Sequence, residues 1–415
     1  MLHAVRAYKL PLGVSSPPGS SLANSNLKFQ WCETASVNEA GKVVTESIKA
    51  MQELGDQMFD RSQSSQWMEY IERKEDRFGD EGGAGAYDTM RCDIVFPIAS
   101  IDESQENVVV WGEDFHLSRL KRSYTALHKQ QDAGQEFEEA IQESKTIMNH
   151  LLSLAKADAK AMHDLKQMES NGETFIVIVR LTMLWSPPKR LKSGISTPPK
   201  IRGHACSTFQ LQCPSKVPSP MTASLAVQLR EDATGKNKFS IDNTMPTRHA
   251  DPQNKIASWC RERTQLQVNS KKSIEEVLMV REREDDKGAK RLEILEGSSS
   301  NFFVILKDGT VRTATEGCLH GYVRHQVLSL LDQCGLKFDP TPIFIDESNE
   351  WKEAFITSSS RLIYPIDEVI IIPSSRNENE AKQFWQYEKS SNAEEQEMQC
   401  LALRKQMLRS SGYTI

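Results

Sequence analysis

Apolar positions along this chain recur with different periods in different segments, and each period predicts an element. In FHLSRLKRSYTAL (residues 115–127) Leu117, Leu120, Tyr124 and Leu127 fall at helical spacing, so one face packs while Arg119, Lys121 and Arg122 spread around the rim. A longer helix is predicted over 134–165, and 175–185 (FIVIVRLTMLW) reads as a strand of β-branched residues. Residues 302–306 are a continuous apolar run, Asp308-Gly309 supplies a reversal, and 310–314 starts a return strand, which together predict a buried hairpin. Shorter strands are predicted at 27–31, within 82–99, and at 108–111, 208–211, 224–229, 276–280, 292–295, 354–357 and 369–372. A helix over 321–334 aligns Val323, Val327, Leu330, Leu331 and Cys334 on one side with Gly335 just past its end, and an amphipathic helix over 378–408 closes the chain.

The order of these elements gives an α/β (α+β) fold in two domains, since 415 residues exceed what one core of roughly 250–300 residues holds. Residues 187–203 contain two Pro-Pro pairs and no hydrophobic period, which marks them as the linker. Residues 27–186 then form a small α/β domain carrying a polar, Gln/Ser-rich insert over 33–82, and 204–415 form the larger domain. The first 26 residues lack an acid and are rich in serine, which reads as a flexible tail or a transit segment. The cytoplasm is the expected compartment, with a plastid or other organelle as the alternative.

Composition removes several classes of function. A net charge of −6 offers no basic field to a nucleic-acid backbone, and no apolar run is long enough to cross a bilayer, so neither nucleic acid nor membrane is an expected partner. The eight cysteines are scattered without a CxxC pair in a chain too long to need stapling, which points to reduced thiols, and no metal-ligand spacing stands out. Small molecules are the expected partners.

Four segments carry candidate chemistry. GCLHGYVR (317–324) places two glycines before a helix start, where free N–H groups and the positive end of the helix dipole form an anion seat. The TSSS run at 357–360 sets hydroxyls and backbone donors at a strand terminus, where α/β proteins bind ligands. Lys255 follows a turn-forming Asp-Pro, and a lysine desolvated beside a ligand becomes an amine nucleophile. Glu296 enters a sheet beside Ser298, Ser299 and Ser300, and an acid at that depth requires a partner, which is expected to be a cation.

Taken in order, GAYDTMR (85–91), Arg119 in FHLSRLKRSY, NKIASW (254–259), EGSSSNFF (296–303), GCLHGYVR and WKEAFIT (351–357) resemble the class IV aminotransferases. These are the fold-type IV pyridoxal-phosphate (PLP) enzymes, which include branched-chain and D-amino-acid aminotransferases and aminodeoxychorismate lyase. The wording is most similar to the plant-type D-amino-acid aminotransferase-like branch. The resemblance covers residues 83–125 and 250–370 and fades over 33–82, 130–240 and the last 40 residues.

The resemblance implies PLP as cofactor, with Lys255 holding it covalently and moving the substrate's α-proton. Glu296 would pair with the pyridine nitrogen, and a carboxylate there keeps the ring protonated and so a better electron sink. Arg119 would clamp the phosphate bidentately. Gly321, Tyr322 and Val323 at the helix start, Ser358 and Ser359 after the strand, and Ser300 and Asn301 of the EGSSSN block would complete the cofactor site. The resemblance also implies amino-acid and 2-oxo-acid substrates and a homodimer. Two departures stand out: Trp259-Cys260 occupies the place where many family transaminases carry a tyrosine, and Val323 stands where a threonine is common. Amino-group transfer is the expected reaction, with a PLP lyase of the aminodeoxychorismate-lyase type and a non-catalytic binding relative as alternatives.

Overall fold

The computed structural model describes residues 31–37, 43–46, 85–96, 108–128, 134–166, 175–186, 199–207, 218–225, 227–231, 237–241, 252–257, 259, 276–284, 288–371, 382–388 and 398–413. The fold is mixed α/β. Its first sheet contains six strands: β1 (Trp31–Val37), β2 (Val43–Glu46), β3 (Ala86–Phe96), β4 (Val108–Val110), β5 (Phe175–Ser186) and β6 (Lys200–Ser207), in the order β2-β1-β6-β5-β3-β4. Helices α1 (Glu113–His128) and α2 (Gly134–Lys166) cover one face. Leu117, Leu120 and Tyr124 of α1 and Ile147, Leu151 and Ala155 of α2 share a core with Met90, Cys92 and Leu181 of the sheet, as the helical spacing predicts.

Two sequence expectations change here. Strand β1 runs from Trp31 into the 33–82 range expected as a polar insert, β2 lies within that range, and β6 begins inside the expected 187–203 linker and runs four residues past the boundary at 203/204. The sequence KIRGHACS has no apolar run, and it is a strand because β1 and β5 pair with it on both edges. The predicted strand at 27–31 survives only at Trp31, the rest lying outside the described residues, as does the strand predicted at 208–211.

The second sheet is assembled around β7 (Met221–Leu225), β10 (Glu276–Glu284), β11 (Lys290–Gly297), β12 (Asn301–Leu306), β16 (Trp351–Ser358) and β17 (Leu362–Ile371). Each pairs with the next in the order β12-β16-β17-β7-β10-β11, and the single pair Glu296↔Asn301 brings β11 back to β12, so the six strands close a ring. The return strand of the predicted hairpin is β13 (Thr310–Thr313), with Gly309 N–H donating to the Leu306 carbonyl across the turn. β12 is apolar from Phe302 to Leu306 because both of its faces are buried. Phe302 and Val304 join one core with Ile356, Ile366 and Met221, while Phe303 and Ile305 join another with Val323, Val327 and Met407.

Helix α3 (Tyr322–Leu330) and a 3-10 turn at Asp332–Cys334 occupy the span predicted as one helix, and Gly335 ends it in the left-handed region at φ 69°. The closing element is not one long helix over 378–408. It is strand β18 (Lys382–Gln386), paired with β17, followed by α4 (Gln399–Ser410). α4 packs into the core that holds α3, and that core also takes in Ile176 and Val95 of the first sheet. The two sheets are therefore joined by shared apolar contacts. No helix among the described residues is long and apolar enough to cross a membrane.

Candidate active site

At the junction of the two sheets lies an open cleft lined mainly by polar and charged residues. Every residue singled out from the sequence lines it: Arg119, Lys255, Glu296, Ser300, Asn301, Gly321, Tyr322, Val323, Ser358 and Ser359. They arrive from five separate segments.

The lysine segment is stitched to the first sheet. Ala257 N–H donates to the Gly85 carbonyl at 2.8 Å, Tyr87 N–H to the Lys255 carbonyl at 3.0 Å, and Lys255 N–H to Ser123 Oγ at 3.0 Å. These bonds fix the backbone of Lys255, whose Nζ reaches 5.0 Å from the centre of the Tyr87 ring and 3.5 Å from Asp88 Oδ1. Trp259, standing where a tyrosine is common, is buried and donates from Nε1 to the Ser298 carbonyl at 3.0 Å, so it ties the lysine segment to the serine wall.

Glu296 sits at the end of β11, 3 % exposed, where its Oε2 accepts the Leu319 N–H at 2.9 Å. Asn301 Nδ2 donates to the Leu319 carbonyl at 2.5 Å. Together they grip the peptide that leads into α3. Gly321 is that helix's N-cap, in extended conformation and with no side-chain cap, which leaves the first amides of α3 as donors toward the cavity. A Cβ at Gly321 would run into Asn301 Oδ1, so only glycine lets the helix start approach this closely. Val323 contributes its backbone alone, because its side chain is in the core.

The structure changes the role expected of Arg119. Its fork faces Asp88: Nε donates to Oδ2 and Nη2 to Oδ1, both at 2.7 Å, while Nη1 donates to the His320 carbonyl at 3.2 Å. The bidentate grip anticipated for phosphate is engaged by a carboxylate, because Asp88 is fully buried on the helix-facing side of β3 and needs a counter-ion. What Arg119 offers the cavity is charge and a remaining Nη1 hydrogen. His116 also meets Asp88, with Nδ1 at 3.0 Å from Oδ1. Burial favours the neutral form of Asp88, but Arg119, His116 and Lys255 outweigh it and hold its pKa well below the usual carboxylate value.

Sequence reasoning passed over a second buried carboxylate. Glu276 accepts from Ser298 Oγ at 2.7 Å, from Ser299 N–H at 3.0 Å and from Ser299 Oγ at 3.0 Å, and pairs with Arg361. Burial works to raise its pKa, but Arg361 and the serines prevail and keep it low. Arg361 also donates to Ser358 Oγ, which joins the 298–300 and 358–361 walls of the cavity. The signal available in the sequence was an acid opening an otherwise apolar strand, EVLMV.

The donor set suits PLP. Ser300 Oγ and Thr357 Oγ1 are buried, line the cavity and have no hydrogen-bond partner among the described residues, which leaves both able to meet a polar ligand. An amine, a carboxylate and an uncapped helix start complement the aldehyde, ring nitrogen and phosphate of that cofactor.

Residues 209–369 match the model of the family described as amino-transferase class IV. No curated protein matches the sequence significantly. Among solved structures, the chain is similar to a branched-chain aminotransferase from Thermoproteus uzoniensis with norvaline, at 15 % identity and a TM-score of 0.44, covering 92 % of this chain and 94 % of that one. A branched-chain amino acid aminotransferase from Thermobaculum terrenum in PLP form is similar at 13 % identity and a TM-score of 0.48, covering 82 % and 90 %. A fold IV-transaminase from Curtobacterium pusillum follows at 16 % identity and 0.46, covering 92 % and 100 %.

Proposed function

We propose that this protein moves an amino group between an amino acid and a 2-oxo acid with PLP, using Lys255 as its catalytic amine. The observation that carries this reading is the meeting of Lys255, Glu296 and the uncapped start of α3 in one cavity, within and beside the segment matched to the family. PLP supplies an electron sink for the substrate's α-carbanion. The chain supplies the rest. Lys255 Nζ would hold the cofactor and carry the α-proton, Glu296 would face the ring nitrogen, and the amides of Tyr322 and Val323, with Ser359 and the charge of Arg119, would receive the phosphate. Asn301, through its bond to Leu319, keeps the helix start in place.

A homodimer and the choice of amino acid, including its chirality, belong to the same proposal. The test is a half-reaction screen. PLP-loaded protein is mixed with single L- and D-amino acids, and the visible absorbance of the bound cofactor is followed. At least one amino acid discharges that absorbance, and a 2-oxo acid restores it. Pyruvate release without an acceptor would assign the lyase chemistry instead, and failure to bind PLP in excess would leave a binding relative.

A further inference from the structure

Asp88 stands on a face where the sheet is otherwise apolar. In β3 it shares its side with Ala86, Met90, Cys92 and Ile94, all packed against the helices, and it is fully buried there. Such a charge is retained only if several donors converge on it. Five bonds do, from β3 itself, α1 and the Lys255 segment. Oδ1 receives the Thr89 N–H at 2.8 Å, His116 Nδ1 at 3.0 Å, Arg119 Nη2 at 2.7 Å and Lys255 Nζ at 3.5 Å, and Oδ2 receives Arg119 Nε at 2.7 Å. His116 Nδ1 also lies 3.1 Å from Arg119 Nη2, so the imidazole sits between the carboxylate and the guanidinium. Through Arg119 Nη1 the same anchor reaches the His320 carbonyl, one residue before the N-cap of α3.

We propose that Asp88 is a positioning residue of the cofactor site, which sets the catalytic amine of Lys255 and the Arg119 guanidinium from one carboxylate and aligns both with the start of α3. This rests on the function proposed above. Lys255 and Arg119 are both long side chains, and holding them in place before the cofactor arrives lowers the entropy that binding must overcome. The Asp88 contact also keeps the Lys255 amine at the cavity wall, within reach of the cofactor's aldehyde.

The test uses full-length protein freed of PLP. Wild type, Asp88→Asn and Asp88→Glu are titrated with PLP by absorbance, and the rate at which Lys255 captures the cofactor is measured by borohydride trapping. Loss of the charge-assisted bonds predicts about tenfold to a hundredfold weaker PLP binding in Asp88→Asn, with much of it recovered in Asp88→Glu. An Asp88→Asn protein that melts normally and binds and captures PLP as wild type does overturns the proposal. Should Asp88→Asn fail to fold, Arg119→Met is compared with Asp88→Asn/Arg119→Met, which buries no orphan charge. The double variant must then capture PLP at least tenfold more slowly than the single one, and equal rates overturn the proposal. If wild type itself binds no PLP, the functional reading has failed, not the role of Asp88 alone.

Discussion

Arg361 donates from Nη2 to Glu276 Oε2 at 2.5 Å, and that pair lies directly behind the hydroxyls of Ser298 and Ser299. One ion pair thus braces two walls of the cavity from outside it. Replacing a single member leaves a buried charge uncompensated, so Glu276→Gln or Arg361→Met each cost about 3–5 kcal/mol in urea unfolding. The double variant costs less than the sum of the two, because neither charge is then orphaned. Strict additivity would mean that the pair is not coupled.

Tyr413 near the C-terminus donates its hydroxyl to Asp93 Oδ2 in the first sheet, where Trp111 Nε1 donates to the same oxygen at 2.9 Å and Arg91 Nε to Oδ1 at 2.7 Å. Arg91 continues to the Ser360 carbonyl at 3.2 Å, beside the serines of the cavity. Tyr413→Phe removes a bond to a buried carboxylate and lowers unfolding stability by about 1.5–3 kcal/mol. It also raises the rate at which a carboxypeptidase trims α4, measured by mass spectrometry.

Much of this was legible in the sequence wherever burial imposes a period. The hairpin at β12 and β13, the helix with Leu117, Leu120 and Tyr124, and the serines that line the cavity all announce themselves by pattern. What escaped was set by partners distant in the chain. β6 is a strand because of β1 and β5, and β18 because of β17; their own residues show no strand period. Asp88 and Glu276 likewise look like ordinary surface acids until Arg119 and Arg361, 31 and 85 residues away in the chain, are seen beside them.

Acid should weaken the fold in two windows. His116 is buried and held below the ordinary histidine value, first by burial and against the pull of Asp88. Folding therefore expels its proton, and the stability this gives is complete above about pH 6.5 and declines as pH falls below it. Asp88 and Glu276 are held low as well, so their contribution is complete above about pH 4–4.5 and is lost as pH falls through their folded values. Urea midpoints measured from pH 7.5 to 3.5 should fall in both windows, with the upper part of the slope reduced in His116→Gln. A midpoint that rises on acidification contradicts the burial described.

Two glycines separate stability from binding. Gly309 lies at φ 84° with open space around it, so Gly309→Ala costs about 1–2 kcal/mol of stability through backbone strain and leaves PLP affinity unchanged. Gly321 has an ordinary φ of −72°, but its added Cβ meets Asn301 Oδ1. Gly321→Ala costs about 1–3 kcal/mol through overpacking and also weakens PLP binding, because Asn301 must release the peptide it holds. Parallel melting curves and PLP titrations distinguish the two.

The central claim is that one named amine holds the cofactor. PLP-loaded protein reduced with borohydride, digested and mapped by mass spectrometry should carry a phosphopyridoxyl group on Lys255, and Lys255→Ala should carry none and show no visible absorbance. A phosphopyridoxyl group on Lys271 or Lys272, or an unlabelled wild-type protein, would contradict it.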